Sequence, residues 1–181
     1  MEDGKLLGKQ ITGLARESIR YYLQTGEILP CPLDLHPYLL QERRGVFVSL
    51  KKGKTLRGCI GTFIPQQKNI AEEVIYNAVS AAIQDPRFPP VRKEELQQLR
   101  ISVDILSEPE RVRNLDELDP SRYGIIVESG WKKGLLLPDI EGVNSVEEQV
   151  RIASAKAGIS PGQPVVIYRF TVDRFREEDY W

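Results

Sequence analysis

The heptad LRGCIGT, residues 56–62, places a cysteine thiol between two glycines and two residues after an arginine. Because glycine weakens a strand interior, Gly58 and Gly61 suggest that a ligand or another stretch of backbone approaches this strand closely. Residues 43–71 contain seven basic side chains and no acidic one. A positive field favours the thiolate, so Cys59 is a candidate nucleophile or redox-sensitive thiol.

Arg57 is a candidate for binding an anion beside the Cys59 thiol. Side chains alternate along a strand, so Arg57, Cys59 and Gly61 are predicted to share one face, while the opposite, apolar face belongs to the core. A guanidinium there would clamp a carboxylate or a phosphate. Structural alternatives stay open: a free cysteine often packs as a small hydrophobe, and the lysines can protect an exposed strand edge.

The sequence offers little support for a base or a metal beside the thiol. The single histidine, His36, lies in a proline-rich loop and is interpreted as a loop residue rather than a base. Cys31, His36 and Cys59 are three soft ligands, but no further Cys or His pair completes a tetrahedral zinc site. No metal, cofactor or disulfide framework is therefore expected.

A second candidate site is the segment DPRFPP, residues 85–90. A helix end followed by a proline-stiffened loop, with Phe88 in the core, explains most of it. It does not explain Arg87, which can pair with Asp85 or face a ligand. Besides Cys59 as the candidate catalytic residue, the candidate ligand-binding residues are Arg57, Gly58, Gly61, Thr62, Asp85, Arg87 and Phe88.

The composition is that of a soluble globular protein, with 181 residues, 41% hydrophobic and 28% charged. No apolar run has the length of a membrane span, and no signal-peptide pattern follows the N-terminal MEDGK, so a cytoplasmic location is expected. The net charge of −1 argues against a nucleic-acid binder. The oligomeric state is not indicated.

The elements that must position these residues follow an α+β pattern. Helices are predicted at 5–25, 69–84 and 145–158, and strands at 45–50, 55–62, 100–106, 123–128, 135–137 and 165–172. The order strand, Lys-Lys-Gly turn, strand, helix, strand occurs twice, over 46–106 and 125–172. Two similar half-units, or the ordinary reuse of hairpins and helices, would both explain it. No long linker interrupts the chain, so residues 1–181 are predicted to form a single domain.

Together these segments resemble the AMMECR family, named for the Alport syndrome, midface hypoplasia and elliptocytosis chromosomal region. LRGCIGT is the family hallmark, and GVFVSL, DPRFPPV, GLLLP and KAG look like further family blocks in family order. The bacterial and archaeal members are called AmmeMemoRadiSam system protein A. The resemblance implies largely antiparallel sheets with flanking helices, in two unequal lobes with the signature near a cleft between them.

The resemblance also implies two partners, a Memo-like protein and a radical-SAM enzyme, but no established reaction. Many members have His where this chain has Tyr123, and Cys where it has Ser154, so a site using those groups would be altered here.

The sequence is compatible with three functions. The first is an accessory component whose cleft binds a small anionic ligand or a partner protein, favoured because no clear base accompanies the thiol. The alternative is an enzyme that uses Cys59 as a nucleophile or redox thiol. The weaker alternative is an RNA-binding factor, for which Phe47 and Phe63 would stack on bases within the basic stretch.

Overall fold

The computed structural model describes residues 2–181. Its α-helices are α1 (Glu2–Thr25), α2 (Pro37–Gln41), α3 (Ile70–Ile83) and α4 (Val146–Lys156). Its strands are β1 (Val46–Lys52), β2 (Thr55–Thr62), β3 (Leu99–Leu106), β4 (Glu110–Arg111), β5 (Gly124–Ser129), β6 (Lys132–Leu136), β7 (Val166–Phe170) and β8 (Val172–Arg176). The chain forms two compact units, one up to Ile105 together with Asp173–Trp181, the other Leu106–Val172.

The first unit is built on a four-stranded sheet with the order β2-β1-β3-β8. Strand β1 runs antiparallel to both β2 and β3. Alternation in β1 turns its valines and Leu50 to one face, where they are buried against α3, which in turn packs on α1. Asn69 caps α3 by accepting the N–H of Glu72, as the sequence predicts. Signature strand β2 is the edge strand of this sheet.

The second unit has a four-stranded sheet with the order β4-β7-β5-β6. Strand β5 is antiparallel to β6 and β7, and α4 packs on β5 and β6. Its core residues are Leu118, Ile125, Val127, Leu136, Ala153, Ile159 and Ile167. Ser145 caps α4 by accepting the N–H of Glu148.

The two units repeat one topology. In each, a hairpin is followed by a helix and then by a strand beside the first hairpin strand: β1-β2-α3-β3 and β5-β6-α4-β7. A Cβ added at Gly58 would lie 2.1 Å from the Ala81 carbonyl oxygen of α3, and one at Gly134 would lie 2.0 Å from the Ala153 carbonyl oxygen of α4. Each glycine lets a helix backbone approach its strand, so the repeated order favours two similar half-units.

Most elements agree with the sequence prediction, and the α+β class with antiparallel sheets is confirmed. The single strand predicted at 165–172 is wrong. The chain breaks at Thr171, whose N–H and carbonyl bond to Ser107, and it continues as β8 in the other sheet. Residues 165–172 are rich in β-branched and aromatic residues throughout, so their composition does not indicate that the chain changes sheet at Thr171. Within residues 2–181, no helix combines the length and apolarity that crossing a membrane requires.

Candidate ligand-binding face

A row of small polar side chains crosses the first sheet at the signature. Cys59 on β2 lies opposite Ser49 on β1, and Ser49 lies opposite Ser102 on β3. All three are partly buried, and Ser49 Oγ is 3.2 Å from Cys59 Sγ. Their neighbours along the strands turn to the other face, towards α3. The first sheet therefore has an apolar face under helices and a polar face that carries the thiol.

A buried ion pair continues the polar face along β3. Asp104, only 4% exposed, lies two residues after Ser102 and so on the same side. Arg174 on β8 donates to both carboxylate oxygens, Nε to Oδ1 and Nη2 to Oδ2, at 2.8 Å each. The paired hydrogen bonds fix the guanidinium and compensate the burial of the Asp104 charge.

The segment 85–90 caps the edge of β2 at the thiol. The backbone N–H of Cys59 donates to Asp85 Oδ2 at 2.9 Å, and its carbonyl accepts from Arg87 Nη2 at 3.3 Å. These two groups point away from β1, because Cys59 and Ser49 form a non-hydrogen-bonded pair. An aspartate–arginine pair thus occupies the place of a neighbouring strand and covers an otherwise open edge.

Arg87 is anchored on one side and open on the other. Its Nε and Nη2 donate to the two oxygens of Asp85 at 3.0 and 2.7 Å, while its side chain is 56% exposed and that of Asp85 only 2%. Among the described groups, with side chains from residue 3 onwards, nothing hydrogen-bonds to Nη1 of Arg87. The Arg87 hydrogen bond, reinforced by backbone N–H groups, holds the pKa of Asp85 well below its ordinary value. The result is a fixed guanidinium that presents free donors beside the thiol.

Burial raises the pKa of the Cys59 thiol above its ordinary value. The Ser49 hydrogen bond and the charge of Arg87 act in the opposite direction, and the carboxylates of Asp104 and Asp85 add to the rise. Desolvation is the largest of these effects. Cys59 is therefore a protonated thiol at neutral pH, which does not favour its predicted role as a nucleophile.

Alkylation of Cys59 by iodoacetamide is expected to be slow at neutral pH and to reach its maximal rate at a more alkaline pH than a free cysteine does, since only the thiolate reacts. The measurement uses a Cys31→Ser background, because Cys31 is also free and partly buried. Mass spectrometry of the Cys59 peptide gives the rate at each pH. A rate that is already maximal near pH 7 would show a lowered pKa and contradict this account.

The Arg57 side chain donates its hydrogen bonds to other groups of the protein. It is the extra residue of a β-bulge, since the pairing with β1 passes from Gly58 directly to Leu56. Its Nε and Nη2 donate to the Glu95 carboxylate at 3.1 and 3.0 Å, and Nη1 donates to the Pro89 carbonyl at 2.8 Å. With 13% of its side chain exposed, Arg57 joins the signature to the segment 89–95.

Acids from other segments neutralise much of the basic stretch 43–71. Glu95 pairs with Arg57, Glu42 with Arg44 at 3.5 Å, and Glu72 with Lys68 at 4.0 Å. The lysines of the β1–β2 turn remain exposed. The positive field inferred from the sequence is therefore weaker than the charge count indicates, and it centres on the turn rather than on the thiol.

The arginine at position 57 lowers the pKa of Glu95 to about 2. Because an unfolded Glu titrates near about 4.3, the stabilisation from Glu95 is present above that pH and is lost as the pH falls towards 2. We expect the stability deficit of Glu95→Gln, measured by urea denaturation, to shrink by about 2 kcal/mol between about pH 6 and pH 2.5. If the difference in unfolding free energy between the wild type and Glu95→Gln does not change with pH, the ion pair between Arg57 and Glu95 is contradicted.

Gly58 and Gly61 allow close packing within the protein. Because Gly58 has no side chain, the backbone of α3 lies directly against β2. A Cβ on Gly61 would lie 2.1 Å from the ring of Phe47, its partner on β1, so the ring covers the glycine. The sequence-based inference of a close approach is explained by protein atoms at both positions.

Thr62 faces α3, away from the thiol. Its hydroxyl donates to Glu73 Oε1 and accepts from Asn77 Nδ2 at 3.1 Å. The other Glu73 oxygen accepts the N–H groups of Gln66 and Gln67 at 2.9 and 2.8 Å. This network ties the end of β2 and the following loop to α3.

His36 and Cys31, which the sequence interpretation did not favour as a base or as metal ligands, have separate partners. His36 caps α2: its Nδ1 accepts the Tyr38 N–H at 3.1 Å, and its Nε2 lies 2.9 Å from Asp3 Oδ1. Cys31 Sγ lies near the Pro32 carbonyl. Among the described side chains, those of residues 3–181, no group of three or more His, Cys, Asp or Glu is arranged to hold a metal ion.

Of the predicted site residues, the structure brings together Cys59, Asp85 and Arg87, with the Phe88 ring 5.4 Å from the Arg87 guanidinium. Sequence reasoning missed Ser49, Ser102 and Asp104. A signal was present, because these residues alternate with buried aliphatic ones in β1 and β3. A strand with serine and aspartate on one face indicates a sheet face that is not core.

The second unit shows which of these features the topology requires. There Gly134 takes the place of Gly58, and Val127 that of Leu50. The row equivalent to Cys59, Ser49 and Ser102 is then Leu135, Ile126 and Tyr168. The glycine under the helix is common to both units, but the thiol and hydroxyls are not, so the topology does not depend on them.

Tyr123 and Ser154, the two departures from the family pattern, lie in the second unit. The centre of the Tyr123 ring lies 4.7 Å from the Arg169 guanidinium and 5.1 Å from that of Arg122. The backbone carbonyl of Tyr123 accepts a hydrogen bond from Gln149 Nε2. Ser154 is partly buried on α4.

The fold and this face define an α+β protein with a signature-bearing edge strand capped by an Asp–Arg pair. The AMMECR1 family model matches residues 12–177, and the chain belongs to this family. The resemblance inferred from the sequence is thereby confirmed.

Relatives share most of the chain. A Thermotoga maritima protein is 52% identical over 160 residues, covering 87% of this chain and 92% of the relative. A Clostridium acetobutylicum protein is 52% identical over 168 residues, but the match covers 91% of this chain and only 35% of that protein. The crystal structure of PH0010 from Pyrococcus horikoshii matches with a TM-score of 0.88 at 36% identity, covering 95% of this chain and 92% of that one.

Proposed function

We propose that the protein is a non-catalytic binding component, and that the face formed by Arg87, Cys59 and Ser49 receives an anionic group of a small ligand or of a partner protein. One observation carries the proposal: Arg87 is fixed by a buried carboxylate yet keeps Nη1 free and more than half of its side chain exposed. A guanidinium fixed in advance binds carboxylate or phosphate at a lower entropic cost than a mobile one.

The row of Cys59, Ser49 and Ser102 supports this proposal. Hydroxyl and thiol groups beside a guanidinium supply further donors to an anion. The second unit has the same topology with two aliphatic residues and a tyrosine in this row, so the thiol and the serines are not needed for packing. A sequence feature that the fold does not require is a better candidate for function than one that it does.

The alternative of catalysis by Cys59 has less support. The raised pKa keeps the thiol protonated, and the ring nitrogens of His36 contact Tyr38 and Asp3. RNA binding also has less support, since several cations of the basic stretch are paired. A binding role fits the observed geometry with fewer assumptions than either.

On family grounds we propose a Memo-like protein and a radical-SAM enzyme as partners, with a cytoplasmic location. One relative contains the matching sequence as about a third of a longer chain, as expected for a component that works beside another domain.

Isothermal titration of the purified protein with the Memo-like and the radical-SAM protein of the same genome tests the partners. We expect saturable binding of at least one, weakened about tenfold or more by Arg87→Gln, since loss of a charge-assisted hydrogen bond costs about 1.5–3 kcal/mol. Arg151→Gln, which removes an exposed arginine of α4, is the matched control and should bind like the wild type. Absence of binding, or equal loss in both variants, would overturn this part of the proposal.

A further inference from the structure

A groove in the second unit, independent of the Cys59 face, has no role in the proposed function. Residues 111–115, the start of β7 and Val150 of α4 line a cavity of about 820 Å³. This volume is within the range of ligand-binding sites. Ile167 is buried, Val112, Val150 and Val165 are partly buried, and Leu115 is 46% exposed at the rim. The groove therefore has an aliphatic lining that solvent reaches.

Two free cations border this groove. Arg111 and Arg113 are exposed, and neither guanidinium has a hydrogen-bond or ion-pair partner among the side chains that the structure describes, those of residues 3–181. The neighbouring acids are engaged elsewhere. Glu110 pairs with Arg169, and Glu117 accepts the backbone N–H groups of Arg113 and Asn114. Asp116, also exposed, accepts from Asn114 Nδ2. Arg111 and Arg113 are thus unpaired cations on a border whose acids each have another partner.

The backbone of Arg111 is also open. Strand β4 is the edge of its sheet, and the Val112 N–H donates to the Ile167 carbonyl at 2.9 Å. Since hydrogen-bonded and non-hydrogen-bonded pairs alternate, Arg111 opposite Tyr168 is a non-hydrogen-bonded residue, and its N–H and carbonyl point away from β7. An extended peptide could bond to both groups.

We propose that this groove binds an extended acidic segment of a partner protein, with one or two leucine-like side chains on the aliphatic lining. Its carboxylates would pair with Arg111 and Arg113, and its backbone would bond to Arg111. The charge of the border selects an anion, the lining selects aliphatic groups, and the open strand edge favours a peptide over a small molecule.

Fluorescence polarisation with a labelled Asp-Glu-Leu-Leu-Glu-Asp peptide tests the proposal on the full chain. We expect saturable binding below about 1 mM that weakens with salt. The double variant Arg111→Gln/Arg113→Gln and the variant Leu115→Ser should each weaken it about tenfold, whereas Arg20→Gln on α1 should not. Circular dichroism checks that each variant is folded, which exposed positions should allow.

Two comparison peptides and one small molecule complete the test. A Lys-Lys-Leu-Leu-Lys-Lys peptide and an Asp-Glu-Ser-Ser-Glu-Asp peptide should bind much more weakly than the first. Equal binding of either, no binding of the acidic leucine peptide, or unchanged binding by the double variant would overturn the proposal. Displacement of the peptide by octanoate at lower concentration than by unlabelled peptide would replace the peptide with a small aliphatic carboxylate, and would overturn it too.

Discussion

Gly58→Ala is expected to destabilise the first unit by about 3 kcal/mol or more, at the upper end of overpacking effects. The new methyl group would lie 2.1 Å from the Ala81 carbonyl oxygen, a backbone atom that cannot move without α3. Gly134→Ala should have a comparable effect on the second unit, because its Cβ would meet the Ala153 carbonyl oxygen at 2.0 Å. Urea denaturation followed by circular dichroism measures both.

Two glycine controls separate steric overlap from backbone effects. Gly4 in α1 has open space around its Cβ position, so Gly4→Ala should be neutral or slightly stabilising. Gly53 has φ +62 and open space, so Gly53→Ala should cost only about 1 kcal/mol through backbone strain. If Gly58→Ala costs no more than Gly53→Ala, the close helix–strand packing described for the first unit is contradicted.

Asp85→Ala is expected to cost about 3–5 kcal/mol, because it leaves the backbone N–H groups of Cys59 and Arg87 without their acceptor, at about 1–3 kcal/mol for each unsatisfied donor. The carboxylate, 2% exposed, accepts from the Cys59 N–H and from the Arg87 backbone and guanidinium. Removal leaves the edge of β2 without its cap. Thermal and urea unfolding at neutral pH measure the loss.

Arg87→Ala should cost less, about 1–2 kcal/mol, because the backbone N–H groups of Cys59 and residue 87 still donate to the Asp85 carboxylate, and truncating the exposed guanidinium opens the carboxylate oxygens to water. A double-mutant cycle between the two positions should show a coupling of more than about 1 kcal/mol. Asp34→Ala, at an exposed loop position where no hydrogen bond or ion pair to another described residue is lost, is the control. Equal costs for Asp85→Ala and Arg87→Ala would mean that Arg87 is structural rather than a presented donor.

The fold was largely predictable because most of its signals are local. The caps at Asn69 and Ser145 and the hairpin around Gly53 lie within a few residues of the elements that they define. The change of sheet at Thr171 was not predictable, since it depends on hydrogen bonds to Ser107, 64 residues away. Nothing in the run from Val165 to Val172 reports that partner.

The candidate site was predictable only in part. The sequence singles out Cys59, Asp85 and Arg87, but not the bonds that join them, because the Asp85–Cys59 contact spans 26 residues. The sequence also suggests Arg57 as an anion clamp. It does not show that the Arg57 guanidinium pairs with Glu95, because that acid lies 38 residues away. Charge counted along a segment misses acids that tertiary structure brings back to it.

In the proposed function, Arg87 presents free donors to an anion beside Cys59. Two-dimensional NMR of the ¹⁵N-labelled protein during titration with inorganic phosphate, and separately with malonate, tests this claim most directly. We expect saturable shifts of the Arg87 side-chain Nε–H and of the Cys59 and Ser49 amides, all lost in Arg87→Gln and retained in Arg151→Gln. Shifts that are absent, that never saturate, or that persist in Arg87→Gln would contradict the claim.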